Sequence, residues 1–282
     1  METIKEDLNA RLFDKAFMLK HRLEQVMALL GRTPDQVCLC IGDPEGVATD
    51  RLCALGGEWT FADIGPGERI EHEEAFPYKD GSFDVVVVLN RLERVEEDYA
   101  FVAECHRILK AGGLLLIDVD HLKRFTVWRP FRRLLGVDVE EPGRFRRGYT
   151  EGGLFDILKD GFDVQEARTY SRFLVEGVET LVRLLAGAMG LARGAEDESH
   201  DPTREIDRLE KLYRFRSITY PFYVAASKLD WLLFFTRGYR LTALARRKMW
   251  KTRRMPVFRD RQSLVDSIMV KKVGSAARPD KV

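Results

Sequence analysis

The run Leu39-Cys40-Ile41-Gly42-Asp43-Pro44-Glu45-Gly46 is the first place in this chain where residue types and spacing could do chemistry. A short apolar segment, Val37 to Ile41, runs into two glycines four positions apart, and a helical stretch over about 47–56 follows. Glycine lets a backbone approach a nucleotide-like ligand closely, and the N-terminus of the next helix offers N–H groups without intrahelical partners. Asp63 stands 17 residues after Gly46, at the end of a second strand-like run. From such a position a carboxylate can accept hydrogen bonds from both hydroxyls of a ribose. On these residues alone the pattern is equally an ordinary strand-to-helix turn.

Such residues need a frame, and the periodicity supplies one. Residues 3–31 repeat apolar side chains at three- and four-residue intervals, from Ile4 through Leu8, Leu12, Leu19, Leu23 and Val26 to Leu30, and stop at Gly31. Strands are expected at Val37–Ile41, Trp59–Ile64, Phe83–Leu89, Leu114–Val119 and Phe162–Tyr170, with helices between them at about 47–56, 99–109 and 154–158. The β-branched run Phe83–Leu89 has no polar alternate face, as expected of a parallel strand covered on both sides. Alternating strands and helices predict an α/β, Rossmann-like, doubly wound and mostly parallel sheet with helices on both faces. A helical insertion precedes the last strand in this reading. The expected organisation is an N-terminal helix over 1–34, a sheet domain over 35–173 and 260–275, and a helical, aromatic and basic cap over 174–259. Leu264–Val270 alternates as a last strand would; Leu241–Arg246, read as helix, is the competing candidate for that strand.

Three further segments carry a resemblance. They are Phe76-Pro77-Tyr78-Lys79-Asp80-Gly81-Ser82-Phe83-Asp84, then Leu92-Glu93-Arg94-Val95, then Arg107-Ile108-Leu109-Lys110-Ala111-Gly112-Gly113. In this order and spacing they resemble class I methyltransferases that use S-adenosylmethionine, in the branch with LPF-x-D-x-SFD, LEHV and RVLKPGG segments. The resemblance covers residues 35–120. It implies S-adenosylmethionine as cofactor, held by Gly42, Asp43, Gly46 and Asp63, with Asn90 nearby. The adenine contact of that family falls near His72, with Glu71 and Glu73 as substitutes. Methyl transfer mainly needs a well-aligned nucleophile, and for a hydroxyl acceptor a base helps. After the strand ending at Val119 the candidates are Asp118, Asp120 and His121, of which Asp120 and His121 are the expected catalytic pair; Tyr149 is a more distant option. Besides the missing Asp near His72, Cys40 replaces an acid of the family pattern, Pro44 a glycine and Arg94 a histidine. They motivate a second expectation, a catalytically inactive methyltransferase-like binding or assembly protein.

Composition bounds the partners. The formal charge of +1 is a cancellation, because residues 1–120 carry a balance of −11 and residues 121–282 one of +12. The expected cap contains Tyr220, Phe222, Tyr223, Trp231, Phe234, Phe235, Tyr239 and Trp250, and Arg237–Arg261 holds ten Lys/Arg and one Asp. Interleaved aromatic and basic residues suit an anionic membrane surface or a phosphate backbone, or simply a solvated helix. The expectation is an amphipathic or lipid-linked small acceptor and a membrane contact through 237–261, with nucleic acid disfavoured. Cys38 and Cys40 lie in an apolar run, and a C-x-C pair without histidine is poor zinc spacing, so no metal is expected. Met1–Ala10 lacks a signal-like apolar region, and Pro221, Lys228 and Asp230 interrupt the longest apolar stretch. A reduced, cytoplasmic protein is expected, peripheral to a membrane at most.

Overall fold

The computed structural model describes residues 8, 11–42, 49–62, 76–123, 128–135, 144–189, 202–233 and 236–250. The chain divides into two compact units, Met1–Lys248 and Met249–Val282, and everything below concerns the first. After a helical turn at 11–14 come α1 (Phe17–Leu30), β1 (Val37–Ile41), α2 (Thr49–Cys53), β2 (Glu58–Ala62) and β3 (Phe83–Leu89). Then follow α3 (Asp98–Ile108), β4 (Leu109–Asp120), α4 (Trp128–Leu134), α5 (Glu151–Leu158) and β5 (Phe162–Tyr170). Helices α6 (Phe173–Ala188) and α7 (Pro202–Asp230) lead to the last strand, β6 (Arg240–Arg247).

The six strands form one sheet in the order β2-β1-β3-β4-β6-β5. The first four pair in parallel, and β6 enters antiparallel between β4 and β5. The fold is Rossmann-like, with the strand order reversing direction between β1 and β3. Leu23, Val26, Leu29 and Leu30 of α1 pack with Leu52 on one face of the sheet, against Cys38, Cys40, Val85, Val87 and Leu116. The alternate residues Leu39, Ile41, Val86, Val88, Leu115 and Ile117 are buried as well. Both faces are therefore covered, which explains why these strands read as continuous apolar runs rather than alternating ones.

Much of the family-like sequence turns out to be scaffold. Arg107 donates to the carbonyls of Phe76 and Tyr78 and pairs with Asp80 and Glu104, tying the segment before β3 to α3. The Asp84 carboxylate accepts from the Val37 N–H at 3.0 Å and from Lys110 at 2.7 Å, clamping β1, β3 and β4 together.

Two expectations change. The N-terminal helix does not run unbroken through 3–31; among the described residues it interrupts at Lys15–Ala16 and restarts at Phe17. Residues 240–247, read as helix, form β6, and Leu241–Ala245 are buried between β4 and β5. A buried strand has no polar alternate face, and the flanking arginines make the segment resemble a basic helix. Residues 240–247 therefore belong to the sheet and not to the helical insertion, whose described helices are α6 and α7. The strand expected at 264–270 lies outside the described residues.

Candidate functional site

In a doubly wound sheet, ligands bind beyond the carboxyl ends of the strands at the point where the order reverses. Here that point lies between β1 and β3, which are followed directly by Gly42 and Asn90. Gly42 has φ +102° and donates its N–H to the Ala62 carbonyl at 3.0 Å. A Cβ there would lie 2.3 Å from the Leu89 carbonyl oxygen and 2.4 Å from Cγ of Arg91, so only glycine fits. Asn90 is itself left-handed at φ +55°, with its N–H donated to the Asp118 carbonyl. Its Oδ1 accepts from Arg240 at 3.0 Å and from Arg144 at 3.4 Å.

Next to Asn90 lies a cluster of three carboxylates and three guanidinium groups. Asp118 is fully buried; its Oδ1 accepts from the Tyr170 hydroxyl at 2.6 Å and the Thr242 hydroxyl at 2.7 Å. Arg22 of α1 lies 3.3 Å from Oδ2 of the same carboxylate. Asp120 pairs with Arg144 at 2.7 Å and Arg240 at 3.1 Å. Burial alone would raise its pKa, yet the two guanidinium groups hold the carboxyl well below the usual carboxylate range. Glu93 is 0% exposed, and its Oε1 accepts the Asp120 N–H at 2.6 Å. Burial and the neighbouring Asp120 charge push Glu93 up to about 7. Glu93 Oε2 is buried without a hydrogen-bond partner.

Asp120 and His121, the expected catalytic pair, lie together at the end of β4. Asp120 is engaged by Arg144 and Arg240, which favour its charged form. His121 is 2% exposed and stitches the chain together: Nδ1 lies 2.8 Å from the Gly238 carbonyl, and its N–H donates to the Tyr239 carbonyl. Burial lowers its pKa. The Tyr149 hydroxyl lies within hydrogen-bond reach of Asp98 and the Leu92 carbonyl, and burial pushes its pKa up. Of the expected cofactor residues the structure brings Gly42 and Asn90 together. Asp43, Gly46, Asp63, His72 and Glu73, with Glu71, lie outside the described residues. Among the described residues no group of three or more His, Cys, Asp or Glu could hold a metal ion.

Sequence reasoning missed Glu93, Arg22, Arg144 and Arg240. The available signal was Glu93 itself, a carboxylate between Leu92 and Val95 four residues after the apolar run Val85–Leu89. The arginines come from three distant segments, so nothing local marks them.

Residues 60–117 match the family model of a methyltransferase domain. That match spans β3 and most of β4, including Asn90 and Glu93. Two curated relatives, both demethylmenaquinone methyltransferases from strains of Tropheryma whipplei, are 28% identical over 122 residues, covering 38% of this chain and 50% of theirs. The chain therefore spans about half the length of the curated relatives it matches. Among solved structures, phosphoethanolamine N-methyltransferase 2 of Haemonchus contortus with S-adenosyl-L-methionine aligns with TM-score 0.48 at 15% identity. That alignment covers 81% of this chain and 52% of the other. A cyclopropane synthase from Mycobacterium tuberculosis aligns with TM-score 0.47 at 17% identity, covering 81% and 83%.

Proposed function

We propose that this chain is an S-adenosylmethionine-dependent methyltransferase acting on an amphipathic or lipid-linked small acceptor. The observation that carries the reading is the meeting, at one end of the sheet, of the methyltransferase-domain match with a glycine turn at the switch point. The groups present suit such a cofactor, which is cationic and bears hydroxyls and an amine: Gly42 carries no side chain of its own at the switch point, and Glu93 has a buried carboxylate oxygen without a partner. When bound, S-adenosylmethionine supplies a methyl group already activated on a sulfonium. In this reading Gly42, Asp43, Gly46 and Asp63 hold it, with His72, Glu73 and Asn90.

The chain's own part is to orient the acceptor and manage a proton. Glu93, lifted towards neutrality, is matched to accept a proton from a hydroxyl or phenol acceptor at physiological pH. Asp120 stays charged and keeps Arg144 and Arg240 in place. The relatives named demethylmenaquinone methyltransferases favour a quinone-type ring as the acceptor.

A second reading, a catalytically inactive methyltransferase-like binding protein, is favoured by one observation. The Arg91 side chain packs directly on Gly42, and Arg240 and Arg144 occupy the Asn90 amide oxygen. Calorimetric titration and thermal shift with S-adenosylmethionine separate the two. Ligand at about 100 times its Kd adds roughly 2.7 kcal/mol of stability. The enzyme reading expects such a shift, and expects Asp63→Ala to weaken it markedly. No shift at millimolar ligand overturns it in favour of the second reading.

A further inference from the structure

Helix α7 has two faces of opposite fate. Thr219, Tyr223, Ala226 and Asp230 are buried. Tyr223 stacks on Phe17 of α1 with ring centroids 5.2 Å apart, and the Asp230 carboxylate accepts the Leu174 and Val175 N–H groups at the start of α6. The opposite face repeats exposed residues at three- and four-residue intervals: Ile218, Phe222, Ala225, Leu229 and, in the 3-10 turn that follows, Leu232. Ile218 is 68% exposed, Phe222 62% and the adjacent Trp231 73%. A solvent-facing helix ordinarily carries polar residues there.

Along the chain from residue 211 to 233 the exposed charges have one sign. Between residues 211 and 233 the exposed charged side chains are Lys211, Arg214, Arg216 and Lys228, while the one acid, Asp230, is buried as the α6 cap. Glu210, about two turns before Ile218, is exposed and pairs with Arg214 at 3.2 Å. Apolar residues with an exposed Trp, rimmed by cations, match the interface of an anionic bilayer, with acyl chains meeting the stripe and headgroups the rim. A phosphate backbone would meet the rim and leave the apolar stripe in water. No described helix is long and apolar enough to cross a membrane.

We infer that the outer face of 211–232 seats this protein on an anionic lipid surface, α7 lying in the plane of the interface. This stands independently of the methyl-transfer reading. The test is sedimentation of the full chain with vesicles of phosphatidylcholine alone or with phosphatidylglycerol. Binding is expected to the anionic vesicles only, weakening as salt is raised. Phe222→Ser with Trp231→Ser should lower the affinity at least tenfold without moving the melting temperature, since both side chains are exposed. Lys211→Gln with Arg214→Gln should cost about fivefold per charge and flatten the salt dependence. Failure to sediment with anionic vesicles at low salt overturns the inference, as does binding that the Phe222/Trp231 pair leaves intact. So does the absence of vesicle binding together with a concentration-dependent dimer that the same pair abolishes, which would assign the face to a second copy.

Discussion

At the scale of single residues, Glu93 decides most. Its pKa is raised on folding, so its contribution to stability is present in full below its unfolded value, near 4.5, and declines as pH rises towards about 7. Burial of His21, His106 and His121 lowers their pKa values and acts in the opposite direction, removing stability as pH falls below 6.5. Comparison with Glu93→Gln isolates the carboxyl, because the amide keeps an acceptor for the Asp120 N–H. Denaturation midpoints should show the wild type losing ground to the variant between pH 4.5 and 7; parallel profiles would refute the assignment. If Glu93 also accepts the substrate proton, the variant should lose turnover at saturating S-adenosylmethionine at least tenfold, with the acid limb of the pH–rate profile removed. Gly42→Ala asks for a left-handed alanine whose Cβ meets backbone oxygen at 2.3 Å. It should cost about 2 kcal/mol or more in chemical denaturation.

Among the elements, β6 and α6 depend on single side chains far away in sequence. Arg240 opens β6 beside two carboxylates, Asp118 and Asp120. Arg240→Met leaves them buried without that cation and should destabilise by about 3–5 kcal/mol, measured by urea titration. Asp230 caps α6 from the end of α7, so Asp230→Ala should cost about 1–2 kcal/mol and loosen the helical pair, seen as faster amide exchange at Leu174 and Val175. The strands Val37–Ile41 and Phe83–Leu89 were legible because a buried strand needs only a short apolar run with turn residues beside it. Strand β6 obeys the same rule, but Leu-Thr-Ala-Leu-Ala sits between arginines whose partners lie on β4, over a hundred residues earlier. Gly42 and Asn90 were legible as strand-end residues because their role is local. The charged cluster was not, since its members converge only when the sheet has formed.

For the whole molecule, the opposed charge of the two halves acquires an internal meaning. Asp98, Asp118, Asp120 and Glu93 from the acidic half face Arg144, Arg146 and Arg240 from the basic half. Part of the asymmetry is thus spent inside the fold, and the exposed remainder on α7 is what a lipid surface would meet. The position of β6 also sets an order of events. It lies between β4 and β5, pairing Leu114–Asp120 on one side and Phe162–Tyr170 on the other, yet it is the last described strand in the chain. Until residue 247 has left the ribosome, β4 and β5 each present an unpaired edge, a template for association with other chains. A chain ended at Gly238 should therefore aggregate and show no cooperative melt, whereas Trp231→Ser, made on the finished surface, should fold at the wild-type rate in stopped-flow refolding. Completion of this sheet is a late, long-range event, and the slowest refolding phase should track substitutions in β6.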